Sequence, residues 1–155
     1  MLDRAIVIFA ILYCKFVNKQ QWGQLDTLWC SDCTTMNSLT WFDKYSFVHF
    51  FLGVYCFIAL YLTRTITGWS AAARHTAMIL VVCGFEMMEN RPRNFRIWDD
   101  WTYHGDALIN SVTDILVAIM GYSAIARLGV LPLAFVWLSL KLLNLFPSFS
   151  DPVAF

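Results

Sequence analysis

Charged residues are scarce in this sequence, and several residue patterns that would assign a function are missing from it. Asp, Glu, Lys and Arg make up 14% of the 155 residues, and their formal charges cancel. A typical soluble domain has about 25% charged residues. A chain with so few cations and no net charge is a poor partner for nucleic acid. The sequence also has no G-x-S-x-G nucleophile, P-loop, dinucleotide fingerprint or haem motif, which excludes the enzyme classes that those motifs define.

Hydrophobic residues are abundant instead, at 59% of the chain, and aromatic residues reach 17% with seven Trp. This composition is typical of a membrane protein, in which Trp side chains lie at the two lipid–water interfaces. The apolar runs predict an all-α, polytopic membrane bundle of four or five transmembrane helices, in a bacterial inner membrane or an organellar or intracellular membrane. Residues 1–155 form one predicted domain, with a short helix at 5–17, a polar interfacial loop at 18–43, and helices at about 44–63, 71–90, 105–128 and 131–146.

The predicted N-terminal helix is the shortest of these elements. Residues 5–17 would extend about 20 Å as a helix, less than the ~30 Å hydrocarbon core of a bilayer. The segment could therefore be a tilted first span, an interfacial helix or a signal-type segment. No small-x-small cleavage pattern follows it, so we expect a retained helix.

The five Cys residues fall into two groups. Cys14, Cys56 and Cys83 lie in apolar runs, where we expect them to pack as small hydrophobic side chains. Cys30 and Cys33 form a C-x-x-C pair in the polar loop, which supplies only two of the four ligands of a structural zinc site. A local disulfide or two free thiols are therefore favoured over a metal there.

Polar residues recur at helical spacing in two neighbouring predicted spans. Asp106, Asn110 and Asp114 are four residues apart, which places them on one face of a helix. Glu86 and Asn90 share a face at the end of the preceding span in the same way. An Asp at mid-bilayer costs about 2.5–3.5 kcal/mol, so a chain that carries several such groups is expected to use them. Asp106 has a second interpretation as the N-terminal cap of its helix.

His49 lies with Ser46 and Gly53 on one face of the second predicted span. A histidine on an apolar face is usually a core residue, but the polar neighbouring spans give the functional interpretation about equal weight. We expect the polar residues of the three spans to converge in one intramembrane pocket, because leaving them against lipid is costly. The predicted catalytic residues are His49, Glu86, Asp106 and Asp114, and the predicted substrate-binding residues are Asn90, Arg91, Arg93 and Asn110.

The predicted pocket combines carboxylates and amides with a single imidazole. This oxygen-rich donor set suits Mg, Mn or non-haem Fe more than structural zinc. The Glu-x-x-His pattern of di-iron bundles is missing, because Glu89 stands where that pattern has His. The cofactor therefore stays open, with a divalent metal as one alternative. Without a metal, the same groups could serve as proton donor and acceptor.

An arginine-rich loop follows the third predicted span. Arg91, Arg93 and Arg96 precede Asp99 and Asp100, so the simplest interpretation is an interfacial loop in which opposite charges neutralise one another. The functional alternative is a clamp for a lipid headgroup or phosphate, since an Arg side chain binds phosphate oxygens with two parallel hydrogen bonds.

Three segments of the chain together resemble a known family. The resemblance is carried by Asp43-x-Tyr45-Ser46-x-x-His49-x-x-x-Gly53, Glu86-x-x-Glu89-Asn90 and Tyr103-x-Gly105-Asp106-x-x-x-Asn110-Ser111-x-x-Asp114. This pattern is similar to that of a group of bacterial inner-membrane proteins of unknown function, which is more distantly similar to VanZ-like membrane proteins. The chain departs from it at Phe85, where the family commonly has Trp, and at Ala107, where it usually has Ser. The resemblance implies a polytopic membrane fold with clustered polar positions and brings no reaction.

Two functional classes remain open on the sequence. The first is an enzyme that uses the polar pocket for metal-assisted or acid–base chemistry on a lipid or isoprenoid-phosphate substrate. The second is a small accessory subunit or assembly factor of a larger membrane complex, in which the polar residues join helices by hydrogen bonds. The expected partners are membrane lipid and, in the second class, other membrane subunits, with no role for nucleic acid.

Overall fold

The computed structural model describes residues 2–26, 28–29, 39–43, 45–91, 106–129, 134 and 137–138. Within these ranges the regular structure is helical, and an isolated bridge between Trp29 and Phe42 is the only β-type pairing, which confirms the predicted all-α class. The helices are α1 (Leu2–Phe16), α2 (Ser46–Leu62), α3 (Arg64–Thr67), α4 (Ala71–Glu89) and α5 (Leu108–Leu128). The helix predicted at 131–146 lies largely outside the described residues.

The connection between α2 and α4 contains a short helix that the sequence reading treated as a plain link. Thr63 keeps a right-handed helical backbone, so helical geometry continues from α2 into α3. Gly68 ends α3 with a left-handed backbone (φ 63°), a conformation that glycine adopts without steric cost. Ser70 then caps α4, because its hydroxyl oxygen accepts a hydrogen bond from the Ala73 amide at 3.1 Å.

Helices α2 and α5 pack most extensively, and two glycines allow their backbones to meet. A Cβ atom on Gly53 would lie 1.9 Å from the carbonyl oxygen of Ala118. A Cβ atom on Gly121 would lie 1.9 Å from the carbonyl oxygen of Phe50. Any larger residue at either position would have to push the two helices apart. This contact fixes α2 beside α5 and so places His49 close to the first turns of α5.

Helices α1 and α4 lie side by side and run in the same direction. At one end, Thr76 donates a hydrogen bond to Asp3 at 2.6 Å, and at the other end Asn18 donates one to the carbonyl of Met87 at 3.2 Å. The apolar core lies between these two ends and includes Met78, Val82, Ile115 and Ala118. Those predicted site residues that the structure describes lie at the end of the bundle that contains Asn18.

The chain after α1 folds back over the start of α5. The backbone N–H groups of Leu108 and Ile109 donate to the carbonyls of Gln21 (2.7 Å) and Trp22 (3.3 Å). These carbonyls satisfy amides that the first turn of a helix leaves unpaired. The interpretation of Asp106 as the cap is therefore wrong: Ala107 occupies the cap position, and its side chain makes no capping bond. Within this loop, Gln20 is buried against α5, whereas most of the other described residues are exposed or half-buried.

Candidate catalytic centre

The imidazole of His49 lies between two carboxylates that belong to two other helices. Its Nδ1 atom lies 3.2 Å from Oε1 of Glu86 on α4, and its Nε2 atom lies 3.8 Å from Oδ2 of Asp114 on α5. The three residues are 6%, 0% and 2% exposed. The edge of the His49 ring packs against Phe85, with ring centroids 5.8 Å apart. Three helices thus deliver one imidazole and two carboxylates to a single buried point.

Each of the two carboxylates has one oxygen held from outside and the other turned towards the imidazole. The Ser46 hydroxyl donates to Oδ1 of Asp114 at 2.9 Å, which leaves Oδ2 as the oxygen nearer His49. The Asn90 side-chain amide approaches Oε2 of Glu86 at 3.4 Å, which leaves Oε1 facing His49. The outer donors fix the orientation of both carboxylates.

The inner atoms of this arrangement lack hydrogen bonds. Nδ1 of His49 and Oε1 of Glu86 are fully enclosed, and neither makes a hydrogen bond within the described part of the chain. Their 3.2 Å separation brings them close without hydrogen-bonding geometry. Buried polar atoms in native proteins are nearly always bonded, so these two atoms call for an explanation such as a bound ion or a catalytic role.

Asn90 joins the centre to a third carboxylate, that of Asp106. Its amide nitrogen lies 3.1 Å from Oδ2 of Asp106 and 3.2 Å from the Ser111 hydroxyl, in addition to its contacts with Glu86. Its side-chain oxygen accepts a hydrogen bond from the Asp106 backbone at 2.7 Å. Ser111 in turn accepts a hydrogen bond from Gln20 at 2.9 Å. The network therefore ties α4 to α5 and to the loop after α1.

Asp43 holds the start of α2 in place. Its Oδ1 atom accepts hydrogen bonds from the backbone amides of Tyr45 (2.8 Å) and Ser46 (3.1 Å). The Asp43 amide donates to the Ser46 hydroxyl at 3.3 Å, so the same hydroxyl that orients Asp114 is itself positioned. Asp43 is completely buried. Asp43 thereby holds Ser46 in the position from which its hydroxyl donates to Oδ1 of Asp114.

Two groups of side chains in the described ranges have donor atoms close enough to surround a metal ion. One donor atom from each of His49, Glu86 and Asp114 lies within 4.8 Å of the others. The same holds for Glu86, Glu89 and Asp106, so Glu86 belongs to both groups. The first group contains the imidazole and the unbonded inner atoms, and it is the better formed of the two.

The structure separates the predicted site residues into three sets. His49, Glu86 and Asp114 form the centre, and Asp106 and Asn90 adjoin it through the hydrogen bonds described above. Asn110 is buried, but among the described residues its amide nitrogen reaches only the carbonyl of Trp41, at 3.5 Å. Arg91 is partly buried just beyond α4, and Arg93 lies outside the described residues.

The sequence reading missed four residues that the structure places around the centre: Gln20, Asp43, Ser46 and Ser111. Ser46 was predicted only to share a helix face with His49 and Gly53, and its position one turn before His49 was the available signal. Asp43 and Ser111 stand inside the family-like motifs without having been assigned a role. Gln20 carries no sequence signal, because its place depends on how the loop folds back.

A smaller polar cluster lies at the opposite end of the bundle. Asp3 accepts the hydrogen bond from Thr76 and lies 3.1 Å from Nδ1 of His75. The Thr76 hydrogen bond lowers the pKa of Asp3 below its usual value of 3.8; partial burial opposes this effect, and His75 adds to it. Asp3 therefore stays charged and ties α1 to the start of α4.

The described residues define an all-helical protein with a buried histidine–carboxylate centre between three helices. The chain belongs to DUF2585, a family of proteins of unknown function, which it matches over residues 17–149. This match supports the predicted resemblance to an uncharacterised family. No curated protein and no solved structure shows a significant match to the chain.

Proposed function

We propose that the chain is an integral membrane protein in which His49, Glu86 and Asp114 form a catalytic centre that acts on a lipid or isoprenoid phosphate. The proposal has two parts, a place in the membrane and a charge-dependent reaction. Each part has its own support and its own experiment. We assign the membrane spans to α2, α4 and α5.

The membrane part is supported by two long apolar helices, of which α4 is largely exposed and α5 is 61% buried in its most apolar window. Helices α4 and α5 are long and apolar enough to cross a bilayer. Only 28% of the most apolar window of α4 is buried, whereas the core helix of a soluble protein would be mostly buried. Leu80 and Val81 on α4 and Leu116 and Met120 on α5 are exposed. Lipid chains are the environment in which so much apolar surface is stable.

Extraction of membranes with alkaline carbonate tests this part. An integral protein stays in the membrane pellet, because its spans remain in the hydrocarbon core. We expect the full chain to pellet with the membranes at high pH. Release into the soluble fraction would contradict the assignment of spans.

The catalytic part is carried by the unbonded inner atoms of the centre. Asn90, which joins α4 to α5, has hydrogen bonds on both its side-chain nitrogen and its side-chain oxygen. His49 and Glu86 instead place Nδ1 and Oε1 side by side with no hydrogen bond in the described ranges. Ionisable groups buried in this way inside a membrane helix bundle indicate function.

The position of the centre along the helices supports a lipid headgroup as the reacting part of the substrate. His49 lies about 5 Å from the start of α2, and Glu86 about 5 Å from the end of α4, at 1.5 Å per residue. The centre is therefore near one end of the spans, where phosphate groups of lipids lie. Arg91 follows α4 at the same end and could contact such a phosphate.

Phosphate release from lipid substrates tests the catalytic part. Purified chain in detergent would be mixed with an isoprenoid diphosphate or with phosphatidic acid, and free phosphate would be measured. We expect release by the wild type and a loss of at least about 100-fold in Glu86→Gln, because general acid–base groups contribute 10²–10⁴-fold. Thr113→Val is the matched control, since Thr113 is buried next to Asp114 in the chain and, in the part that the structure describes, its hydroxyl bonds only to Ile109 of its own helix.

An accessory subunit remains the second candidate, and the outer face of α1 favours it. Ile8, Phe9, Leu12 and Phe16 are each about half exposed or more on this 15-residue helix. An apolar face of this kind can pack against another membrane subunit. Stoichiometric co-purification with a large complex in mild detergent, without phosphate release by the chain alone, would favour the subunit. The distant VanZ-like resemblance stays a prediction.

A further inference from the structure

We infer that His49, Glu86 and Asp114 together bind one divalent cation of the Mn²⁺ or Fe²⁺ class. The inference deepens the proposed function by naming the cofactor of the same centre. Only the catalytic use of the cation rests on the proposed function, because the binding of the cation is inferred from the arrangement of the donor atoms alone.

The direction of the carboxylates is the first observation. Ser46 occupies Oδ1 of Asp114, and Asn90 approaches Oε2 of Glu86, so the remaining oxygen of each carboxylate faces the imidazole. Protein groups that bind a metal are usually oriented in this way by outer hydrogen bonds. Two carboxylates that served only to hold the helices together would not need to turn one oxygen each towards the imidazole.

The unbonded buried atoms are the second and independent observation. Nδ1 of His49 and Oε1 of Glu86 are electron-pair donors enclosed at 3.2 Å from each other. A cation with bonds of roughly 2.1 Å holds neighbouring ligand atoms about 3.0–3.4 Å apart. The separation of these two atoms already has the size that a shared cation imposes. Asp114 lies nearest the other imidazole nitrogen, with its Oδ2 atom 3.8 Å from Nε2, and must shift to share the cation. One donor atom from each of the three residues already lies within 4.8 Å of the others.

The chemistry of the donor set selects the class of cation. Carboxylate oxygens suit Mg²⁺ and Mn²⁺, and an imidazole nitrogen suits Fe²⁺ and Zn²⁺, so one nitrogen with two oxygens favours Mn²⁺ or Fe²⁺. Three protein ligands leave coordination positions for water or a substrate oxygen. The two carboxylates together supply the negative charge that a divalent cation balances. When bound, the cation would polarise a phosphate oxygen and lower the pKa of a bound water.

Titration of the purified full-length chain with Mn²⁺ tests the inference. The protein would be stripped with a chelator in detergent, and electron paramagnetic resonance would measure free and bound Mn²⁺. We expect one Mn²⁺ per chain, with magnetic coupling to an imidazole nitrogen that His49→Gln abolishes. Asp114→Asn removes a ligand charge and should weaken binding at least about tenfold. Ser46→Ala removes only an outer hydrogen bond and should weaken it about 10–100-fold.

Thr113→Val is again the control, and its Mn²⁺ affinity should equal that of the wild type. No saturable binding by the wild type, or bound Mn²⁺ without nitrogen coupling, would overturn the inference without any variant being needed. Equal binding by Asp114→Asn and wild type would overturn it as well. The experiments distinguish failure of the cation inference from failure of the proposed catalysis. Phosphate release that depends on Glu86 but needs no metal would contradict the cation site and support the enzyme. Mn²⁺ binding without phosphate release would support the cation site and contradict the enzyme.

Discussion

Ser46 and Asp114 are joined by a hydrogen bond of 2.9 Å although 68 residues separate them in the chain. The bond links the first residue of α2 to the second turn of α5 and orients the Asp114 carboxylate. It depends on the close approach of the two helices, which in turn depends on Gly53 and Gly121. The geometry of the centre therefore depends on how α2 packs against α5. Variants along this contact should change both the stability of the protein and the orientation of Asp114.

Gly53→Ala should destabilise the protein. The added Cβ atom would lie 1.9 Å from the carbonyl oxygen of Ala118, so α2 and α5 must separate, at a cost of about 1–3 kcal/mol or more. The midpoint of thermal unfolding in detergent measures the effect. Gly84→Ala is the matched control, because its Cβ atom would meet nothing within 4 Å and Ala favours a helix by about 1 kcal/mol over Gly. A Gly53→Ala protein as stable as Gly84→Ala would disprove the tight contact.

Asn90→Leu should cost more stability than Asn110→Leu, although both side chains are buried amides. Asn90 contacts Asp106 and Ser111 through its nitrogen and accepts from the Asp106 amide, so its loss leaves several buried groups unsatisfied. Each such group costs about 1–3 kcal/mol. Asn110 makes a single contact of 3.5 Å within the described residues. Unfolding of both variants in denaturant would show the difference, and equal losses would contradict the network.

Thr76→Val should raise the pKa of Asp3 towards its usual value of 3.8, because it removes the hydrogen bond that contributes most to lowering it. A lowered pKa in the folded state means that the Asp3 carboxylate stabilises the fold above its unfolded pKa. This contribution is lost as the pH falls through the folded pKa. A titration of the Asp3 carboxyl carbon by nuclear magnetic resonance measures the pKa in both proteins. An Asp3 pKa at or above 3.8 in the wild type would contradict the α1–α4 tie.

The centre could be partly predicted because helical spacing is a local property. Four-residue steps put Asp114 on the same face as Asn110, and both are buried in the structure. The cost of exposing His49 and Glu86 to lipid also indicated that these residues face one another. Spacing does not say how far two helices are rotated, so it could not tell that Asn110 contacts Trp41 instead of joining the centre.

The rest of the site depended on contacts between distant segments, which a single sequence does not record. Gln20 reaches Ser111 only because the loop after α1 folds over the start of α5. Asp106 could be interpreted as a helix cap for the same reason. The first amides of α5 bond instead to the carbonyls of Gln21 and Trp22, which come from that distant loop. A polar loop rich in Trp is typical of an interface, and nothing in its composition shows that its backbone completes a helix.

The most direct test of a charge-dependent catalytic centre is the activity of Asp114→Asn. The amide is nearly the same size as the carboxylate and keeps a hydrogen bond to Ser46, but it carries no charge. Phosphate release from an isoprenoid diphosphate would be measured for this variant, the wild type and Thr113→Val, each normalised to the amount of protein in the membrane. We expect Asp114→Asn to accumulate like the wild type and to lose at least about 100-fold in rate. Full activity in Asp114→Asn would contradict the account, because the centre would then act without the charge on which its proposed chemistry depends.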